Sequence, residues 1–163
     1  MITAAQVVHE LDRQGLTIAV AESLTGGLLA AELVSVPGAS SVVVGGVVAY
    51  QTPVKNSLLH VPADLLATRG AVDPDVAVAM ASGVRRALAV DGKAADVGLA
   101  TTGVAGPDPQ DGHAPGTVYV ALSAGGEARV TRLALEGDRE TIRSATVSES
   151  LSMLHDWLTG PRE

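Results

Sequence analysis

Apolar residues recur at helical spacing in several stretches of the chain, and each stretch is bounded by residues that begin or end helices. The first stretch carries Val7, Val8 and Leu11 and ends at Gly15. The last is the longest, and Asp138 is placed to cap its first turn. We predict helices at about residues 4–15, 25–35 and 138–158, another from Asp73-Pro74 to about Asp91-Gly92, and short helices that begin at Thr52-Pro53, with Thr52 as the cap, and at Pro62.

Short apolar runs without helical spacing alternate with these helices and predict strands. The strands are predicted at about residues 16–21, 42–49 and 96–102, followed by a hairpin of residues 117–123 and 129–135. Gly45 and Gly46 interrupt the second run, which indicates either a bulge or a close approach of two backbones. Strands separated by helices favour a layered sheet, to which the hairpin adds antiparallel strands. The predicted fold class is α/β, a three-layer α/β/α sandwich with a mixed sheet.

The composition limits the partners and the chemistry that we expect. The chain of 163 residues fits one domain, residues 1–163. Its formal charge of -7 and its lack of Phe argue against nucleic-acid binding and against stacking of single strands. No apolar run approaches the ~20 residues that cross a bilayer, and the first residues lack a secretory pattern, so we expect a cytoplasmic protein that does not bind membranes. The absence of Cys excludes disulfides and thiolate catalysis.

One junction between a predicted strand and a predicted helix carries the residues of a candidate site. The stretch from Ala19 to Gly27 places Ser23 and Thr25 between an apolar run and a Gly-Gly pair. Backbone N–H groups at such a turn favour an anion or a developing oxyanion, and a serine beside them has the setting of an activated nucleophile. Ser23 or Thr25 could instead cap the helix, a common role of hydroxyl residues. The local sequence leaves both interpretations open.

The rest of the chain offers few groups that could activate a serine. His9, His60, His113 and His155 fall in predicted helices or in a polar loop. No His or carboxylate pair has the spacing of a metal site near the glycine turns, so we predict no metal and no cofactor. Lys55 follows a predicted buried strand, where partial desolvation would lower its pKa and let the neutral amine accept a proton. An ordinary solvated lysine is the alternative.

Two further turns combine glycine with hydroxyl or cationic side chains. Thr101-Thr102-Gly103 ends a predicted strand and offers backbone donors at the same edge of the sheet. Gly137-Asp138-Arg139 opens the last helix, where Arg139 and Arg143 are available for a phosphate or a carboxylate, or simply line an exposed first turn. The chain has neither the GxxxxGK[ST] nor the GxGxxG pattern, so mononucleotide hydrolysis and dinucleotide binding have weak support.

Taken together, these segments resemble the CinA carboxy-terminal domain family, the nicotinamide-nucleotide amidohydrolases. The matching pieces are collinear and cover almost the whole chain, which makes the resemblance specific although each piece alone is weak. They are Ala21-Glu22-Ser23-Leu24-Thr25-Gly26-Gly27, Pro37-Gly38-Ala39-Ser40, Gly46-Val47-Val48-Ala49-Tyr50 leading to Lys55, Gly70-Ala71-Val72, Thr102-Gly103-Val104-Ala105-Gly106-Pro107, Pro115-Gly116-Thr117-Val118, and Gly137-Asp138-Arg139 with Arg143.

The resemblance implies a catalytic role for four side chains. It implies hydrolysis of the carboxamide of nicotinamide mononucleotide to nicotinate mononucleotide and ammonia, as part of pyridine-nucleotide recycling, by a serine–lysine mechanism without a metal. Ser23 would be the nucleophile and Lys55 its base, with Tyr50 hydrogen-bonded nearby. Ser40 is the rival nucleophile.

The resemblance also implies how a small nucleotide would be held. Backbone groups around Thr25-Gly26-Gly27 would stabilise the oxyanion, and the Thr102-Gly103 turn and Arg139 would contact the substrate and its phosphate. The alternative is a non-catalytic module of the same fold that binds a nucleotide without turnover. Relatives suggest a homo-oligomer, and because longer relatives carry an additional amino-terminal domain, we expect this chain to be the stand-alone form.

Overall fold

A computed structural model describes residues 1–161 as a series of helices and strands. The helices are α1 (Ala4–Gln14), α2 (Leu28–Val34), α3 (Thr52–Leu59), α4 (Ala63–Arg69), α5 (Pro74–Ala87) and α6 (Arg139–Thr159), with a short 3₁₀ turn at Ala39–Ser41. The strands are β1 (Ile18–Glu22), β2 (Val43–Val48), β3 (Val97–Gly103), β4 (Thr117–Ala124) and β5 (Glu127–Ala134).

The strands form one mixed sheet in the order β2-β1-β3-β4-β5. Strands β2, β1 and β3 run parallel, whereas β4 and β5 form the predicted antiparallel hairpin. The register between β1 and β2 skips Val44, since Ile18 pairs with Val43 and Ala19 pairs with Gly45. The pairing is therefore irregular beside the glycine pair, where a bulge was one of the two expectations. Because the three parallel strands point the same way, the segments that follow β1, β2 and β3 meet at one edge of the sheet.

Alternate residues of the central strand face opposite sides of the sheet, and each side has its own apolar core. Ile18 and Val20 of β1 pack with residues of α1, α2 and α6, while Ala19 and Ala21 pack with residues of α3, α4 and α5. The domain thus has three layers, helices on both faces of a mixed sheet, as predicted. Strand β1 is buried along its whole length, which explains why its sequence is a continuous apolar run.

Helix α5 lies close to its neighbours because glycines remove side chains at the contacts. A Cβ added to Gly98 of β3 would lie 1.9 Å from the carbonyl oxygen of Ala81 in α5. A Cβ added to Gly83 of α5 would lie 2.0 Å from the carbonyl oxygen of Leu59 in α3. Backbone atoms cannot move aside as a flexible side chain can, so this side of the sheet requires glycine at both positions.

The ends of some elements agree with the prediction, and others differ from it. Asp138 caps α6 by accepting from the N–H of Thr141 at 2.8 Å, as predicted. The expectation that Thr52 caps α3 is wrong, because Gln51 is the N-cap and makes no side-chain capping bond. Helix α5 ends at Ala87, earlier than predicted. In the part of the chain that the structure covers, no helix is long and apolar enough to span a bilayer.

Candidate active site

A cavity of about 650 Å³ opens at the sheet edge where the parallel strands end. Its walls come from the segments after β1, β2 and β3, from the loop before α5, and from the first residue of α6. Ser23, Tyr50, Thr102, Gly103 and Arg139 all line it, so five of the predicted site residues share one space. This volume lies within the range of small-molecule sites.

Ser23 and Lys55 are in direct contact within the protein interior. The Nζ atom of Lys55 lies 3.0 Å from the Oγ atom of Ser23, and the lysine side chain is only 1% exposed. Ser23 follows β1, and Lys55 lies in the middle of α3, the helix after β2. The main-chain N–H of Ala49 donates to the carbonyl oxygen of Glu22 at 2.8 Å, which extends the pairing of β1 with β2 up to the two catalytic candidates.

Two carbonyl oxygens complete the surroundings of the Lys55 amine. Nζ also donates to the carbonyl oxygens of Ala49, at 2.7 Å, and Tyr50, at 3.2 Å. A neutral amine has two hydrogens and one lone pair, so donation to both carbonyls directs the lone pair at the Ser23 hydroxyl. Burial lowers the pKa of Lys55 to about 8, because the charged form loses hydration. This geometry suits proton transfer from serine to lysine.

The interpretation of Ser23 or Thr25 as a helix cap is wrong. Gly27 is the N-cap of α2, and neither hydroxyl bonds to the first N–H groups of that helix. The carboxylate of Glu22 does so instead, accepting from the main-chain N–H of Leu29 at 2.9 Å and of Ala30 at 3.0 Å. Glu22 is 1% exposed, and these charge-assisted bonds compensate for its burial. The sequence carried no signal that a strand residue would cap this helix.

Buried hydroxyl groups support the turn that carries Ser23. The N–H of Ser23 donates to the carbonyl oxygen of Thr101 in β3 at 3.1 Å. The hydroxyls of Thr25 and Thr101 are 2.9 Å apart and fully buried. Thr102, predicted as a substrate contact, donates its hydroxyl to the carbonyl oxygen of Ala71 at 2.7 Å, which leaves its oxygen able to accept a further bond. These contacts hold the end of β1 firmly against β3.

The two arginines predicted for anion binding have different surroundings. Arg139 lines the cavity and donates to the carbonyl oxygen of Gly106 at 2.6 Å and to the hydroxyl of Tyr50 at 2.9 Å. The Tyr50 side chain is 57% exposed, and only its carbonyl oxygen contacts Lys55. Arg143 is half-buried and donates instead to the carbonyl oxygens of Leu24, at 2.9 Å, and Thr25, at 3.3 Å.

Ser40 does not lie in this cavity. It sits in the exposed 3₁₀ turn that precedes β2, whereas Ser23 follows the end of the parallel strand β1. The chain direction therefore puts the two serines at opposite edges of the sheet, separated by the length of β1. The prediction of Ser40 as a rival nucleophile in this site is wrong, because its place after Pro37-Gly38 carried no information about which edge it would reach.

None of the described residues that line the cavity is a histidine. Among residues 1–161, no group of three or more His, Asp or Glu side chains is arranged to hold a metal ion. The side chains that the described geometry brings together for chemistry are a serine, a lysine and an arginine. They suit nucleophilic attack on a carbonyl and binding of an anion.

Comparison with known proteins places this architecture in a family. The family model described as "CinA C-terminal domain" matches residues 2–158. A "CinA-like protein" from Frankia casuarinae is 49% identical over 155 residues, which cover 94% of this chain and 34% of that protein. Another from Myxococcus xanthus is 45% identical over 95% of this chain and 36% of its own length. The chain thus spans about a third of the length of the curated relatives it matches.

Solved structures agree with the sequence comparison. The competence-damaged protein (CinA) superfamily protein from Enterobacter cloacae has a TM-score of 0.89 and 31% identity, and the match covers 98% of this chain and 94% of that one. The competence/damage inducible protein CihA from Agrobacterium tumefaciens has a TM-score of 0.85 and 34% identity, with coverages of 93% and 90%. From the family match and these likenesses, the chain belongs to the CinA C-terminal domain family.

Proposed function

We propose that this chain is an amidohydrolase that converts the carboxamide of nicotinamide mononucleotide to a carboxylate, with release of ammonia. The observation that carries the proposal is the buried contact between Ser23 and Lys55, 3.0 Å long, at the edge of the large cavity. Burial lowers the pKa of Lys55 to about 8, which makes its neutral form accessible near physiological pH. The choice of substrate rests on the resemblance to the nicotinamide-nucleotide amidohydrolases.

The first half of the reaction forms an ester on Ser23. Neutral Lys55 takes the proton of the Ser23 hydroxyl while Oγ attacks the carboxamide carbon, and the carbonyl oxygen becomes negatively charged. When the C–N bond breaks, Lys55 returns the proton to the leaving nitrogen, so that ammonia departs. The nicotinoyl group is then joined to Oγ of Ser23, and Lys55 is neutral again.

The second half of the reaction restores the serine. Lys55 takes a proton from a water molecule, whose oxygen attacks the ester carbon. Collapse of the intermediate breaks the bond to Oγ, which takes its proton back from Lys55, and releases the nicotinate product. Arg139 is our candidate for contact with the ribose phosphate, because it lines the same cavity and its bonds to Gly106 and Tyr50 hold the guanidinium at the cavity wall.

The proposal is tested by assaying ammonia and nicotinate mononucleotide with nicotinamide mononucleotide as substrate. Ammonia release that a chelator does not reduce is expected from the wild type, and the S23A and K55M variants should lose it. The chain has two lysines, so K93M is a matched control. Lys93 has a side chain that is 74% exposed, and its removal should leave the rate unchanged.

Other outcomes of the same assay distinguish the competing functions. Binding of the nucleotide without either product would favour the non-catalytic module and contradict the proposal. Release of inorganic phosphate instead of ammonia would indicate a phosphoesterase. Full ammonia release from both S23A and K55M would exclude the serine–lysine pair even if the substrate is right.

A further inference from the structure

In the turn from Ser23 to Gly27, the first three carbonyl oxygens accept hydrogen bonds from within the protein. The carbonyl oxygen of Ser23 accepts from the N–H of Gly26 at 3.1 Å, which closes a tight turn. The next two carbonyl oxygens, of Leu24 and Thr25, both accept from the guanidinium of Arg143. Arg143 comes from the second turn of α6, more than a hundred residues later in the chain.

The N–H groups of the same turn are not all used. Ser23 and Gly26 donate within the protein, to Thr101 and to Ser23 respectively. Among residues 1–161, no acceptor pairs with the main-chain N–H of Leu24 or of Thr25, although both residues are buried. Buried N–H groups without an acceptor are rare, and where they follow a nucleophilic serine they are suited to an oxyanion.

The first N–H groups of α2 cannot serve that purpose. Glu22 already occupies the N–H groups of Leu29 and Ala30, and its negative charge would oppose a second anion there. Of the predicted oxyanion group Thr25-Gly26-Gly27, Gly26 is also engaged, because its N–H donates to Ser23. Among residues 1–161, the N–H groups of Leu24, Thr25 and Gly27 have no acceptor, and those of Leu24 and Thr25 directly follow the nucleophile in the chain.

Arg143 controls the direction of one of these donors. In a trans peptide the C=O and the N–H point in opposite directions, so the group that holds the Leu24 oxygen also sets the Thr25 N–H. A guanidinium that holds the carbonyls of Leu24 and Thr25 together fixes two successive peptide planes. Gly26 leaves room for it, since a Cβ there would lie 3.2 Å from Nη2 of Arg143.

We propose that Arg143 is a positioning residue that orients the N–H group of Thr25, which acts with the N–H group of Leu24 as an oxyanion donor of the Ser23 reaction. The inference rests on the proposed function in that it assumes attack of Ser23 on a carbonyl carbon. Within residues 1–161, Arg143 makes its hydrogen bonds to the Leu24 and Thr25 carbonyl oxygens and none to Ser23. Its contribution is to keep peptide dipoles aimed at the developing charge, so no reorganisation is needed in the transition state.

The first test compares the natural carboxamide with its thioamide analogue, in which sulfur replaces the oxygen that becomes charged. Ammonia release from nicotinamide mononucleotide and from thionicotinamide mononucleotide is measured for the wild type, R143M, R143K and R132M. Arg132 is an exposed arginine of β5, so R132M removes the same charge away from the turn. Sulfur is a larger and weaker acceptor than oxygen, so aligned N–H donors favour the amide.

The proposal predicts a specific pattern for R143M. Its kcat for the amide should fall about 100-fold with KM changed by less than about threefold, because loss of an oxyanion donor affects the transition state more than the ground state. Its preference for amide over thioamide should fall about tenfold. R143K, whose single nitrogen cannot hold both carbonyls in the same way, should lie between, and R132M should match the wild type. If R143M merely contained less folded protein, both rates would fall by the same factor and the preference would be unchanged, which would overturn the proposal.

A second test does not depend on the nucleotide. Acetylation of Ser23 by p-nitrophenyl acetate is followed as a burst of p-nitrophenolate, with S23A as the blank. If R143M is acetylated more slowly than the wild type, the role of Arg143 is supported. If the wild type is acetylated but does not act on the nucleotide, the proposed substrate is rejected while the role of Arg143 stands. Acetylation of R143M at the wild-type rate would overturn the role of Arg143. A wild-type Ser23 that neither reagent acylates would overturn both proposals.

Discussion

The rate of the proposed deamidation should rise with pH through the pKa of Lys55. Only the neutral amine can take the proton of Ser23. With the ordinary lysine pKa of 10.5, about one amine in three thousand would be neutral at pH 7. Burial lowers the pKa of Lys55 to about 8 because the charged form loses hydration, and among residues 1–161 the amine's hydrogen-bond partners are a hydroxyl and two carbonyl oxygens.

The size of the expected rise follows from this value. With a pKa of about 8, the neutral fraction of Lys55 is about 9% at pH 7 and about 91% at pH 9. The value of kcat/KM should therefore increase about tenfold between these two pH values and level off above them, as long as the protein stays folded. An unperturbed lysine would give a rise of about a hundredfold over the same range without a plateau.

The assay measures kcat/KM for ammonia release at constant ionic strength, in overlapping buffers from pH 6.5 to 10. This parameter reports groups of the protein without bound substrate, which is the state that the structure describes. The K93M variant controls for the second lysine and should give the same curve, while circular dichroism at each pH verifies that the fold persists. A profile that is flat or falls between pH 7 and pH 9, or that is still rising tenfold per pH unit at pH 9, would refute the assignment of Lys55 as a buried base.

Three further predictions concern stability. The pKa of Lys55 is lower in the folded protein than in the unfolded chain, so between about pH 8 and 10.5 the unfolded chain binds the extra proton, and the free energy of unfolding rises with pH across that window and is lost as pH falls. Relative to K55M, the wild type should therefore gain about 2 kcal/mol of unfolding free energy from pH 7 to pH 9.5 in urea denaturation. Parallel pH curves for the two proteins would contradict this. E22Q leaves one of the two capped N–H groups of α2 without an acceptor, so its unfolding free energy should fall by about 1–2 kcal/mol, and an unchanged urea midpoint would count against the capping role. G83A brings a methyl group within 2.0 Å of the Leu59 carbonyl oxygen and should cost about 1–3 kcal/mol in the same assay, whereas G126A, with nothing within 4 Å, should change little.

Much of the fold could be predicted because the signals for it are local. Helical spacing identified α1 and α6, and continuous apolar runs identified β1 and β3, since each element must present apolar side chains to a core at its own period. The cap of α6 at Asp138 was predictable for the same reason, because the capping residue and the group it caps are three positions apart. The cap of α2 was not, because its carboxylate comes from a strand seven residues earlier.

The candidate site also has a part that could be predicted from the sequence and a part that could not. The sequence by itself singled out Ser23, Lys55 and Arg139, because a hydroxyl, an amine and a guanidinium stood at the ends of predicted elements. Only the tertiary structure decided that Lys55 contacts Ser23 and that Ser40 lies at the other edge of the sheet.

Tertiary structure also decided that Arg143 holds the carbonyls of the nucleophile turn instead of lining an anion site. Ser23 and Lys55 are 32 positions apart in the chain, and Leu24 and Arg143 are 119 positions apart, so the packing of whole helices on the sheet brings each pair together. Side-chain periodicity and capping act over a few residues, and so they identify elements and candidate groups. The register of the strands and the packing of the helices determine which carbonyl oxygens a distant side chain such as Arg143 contacts. Both depend on the complete core.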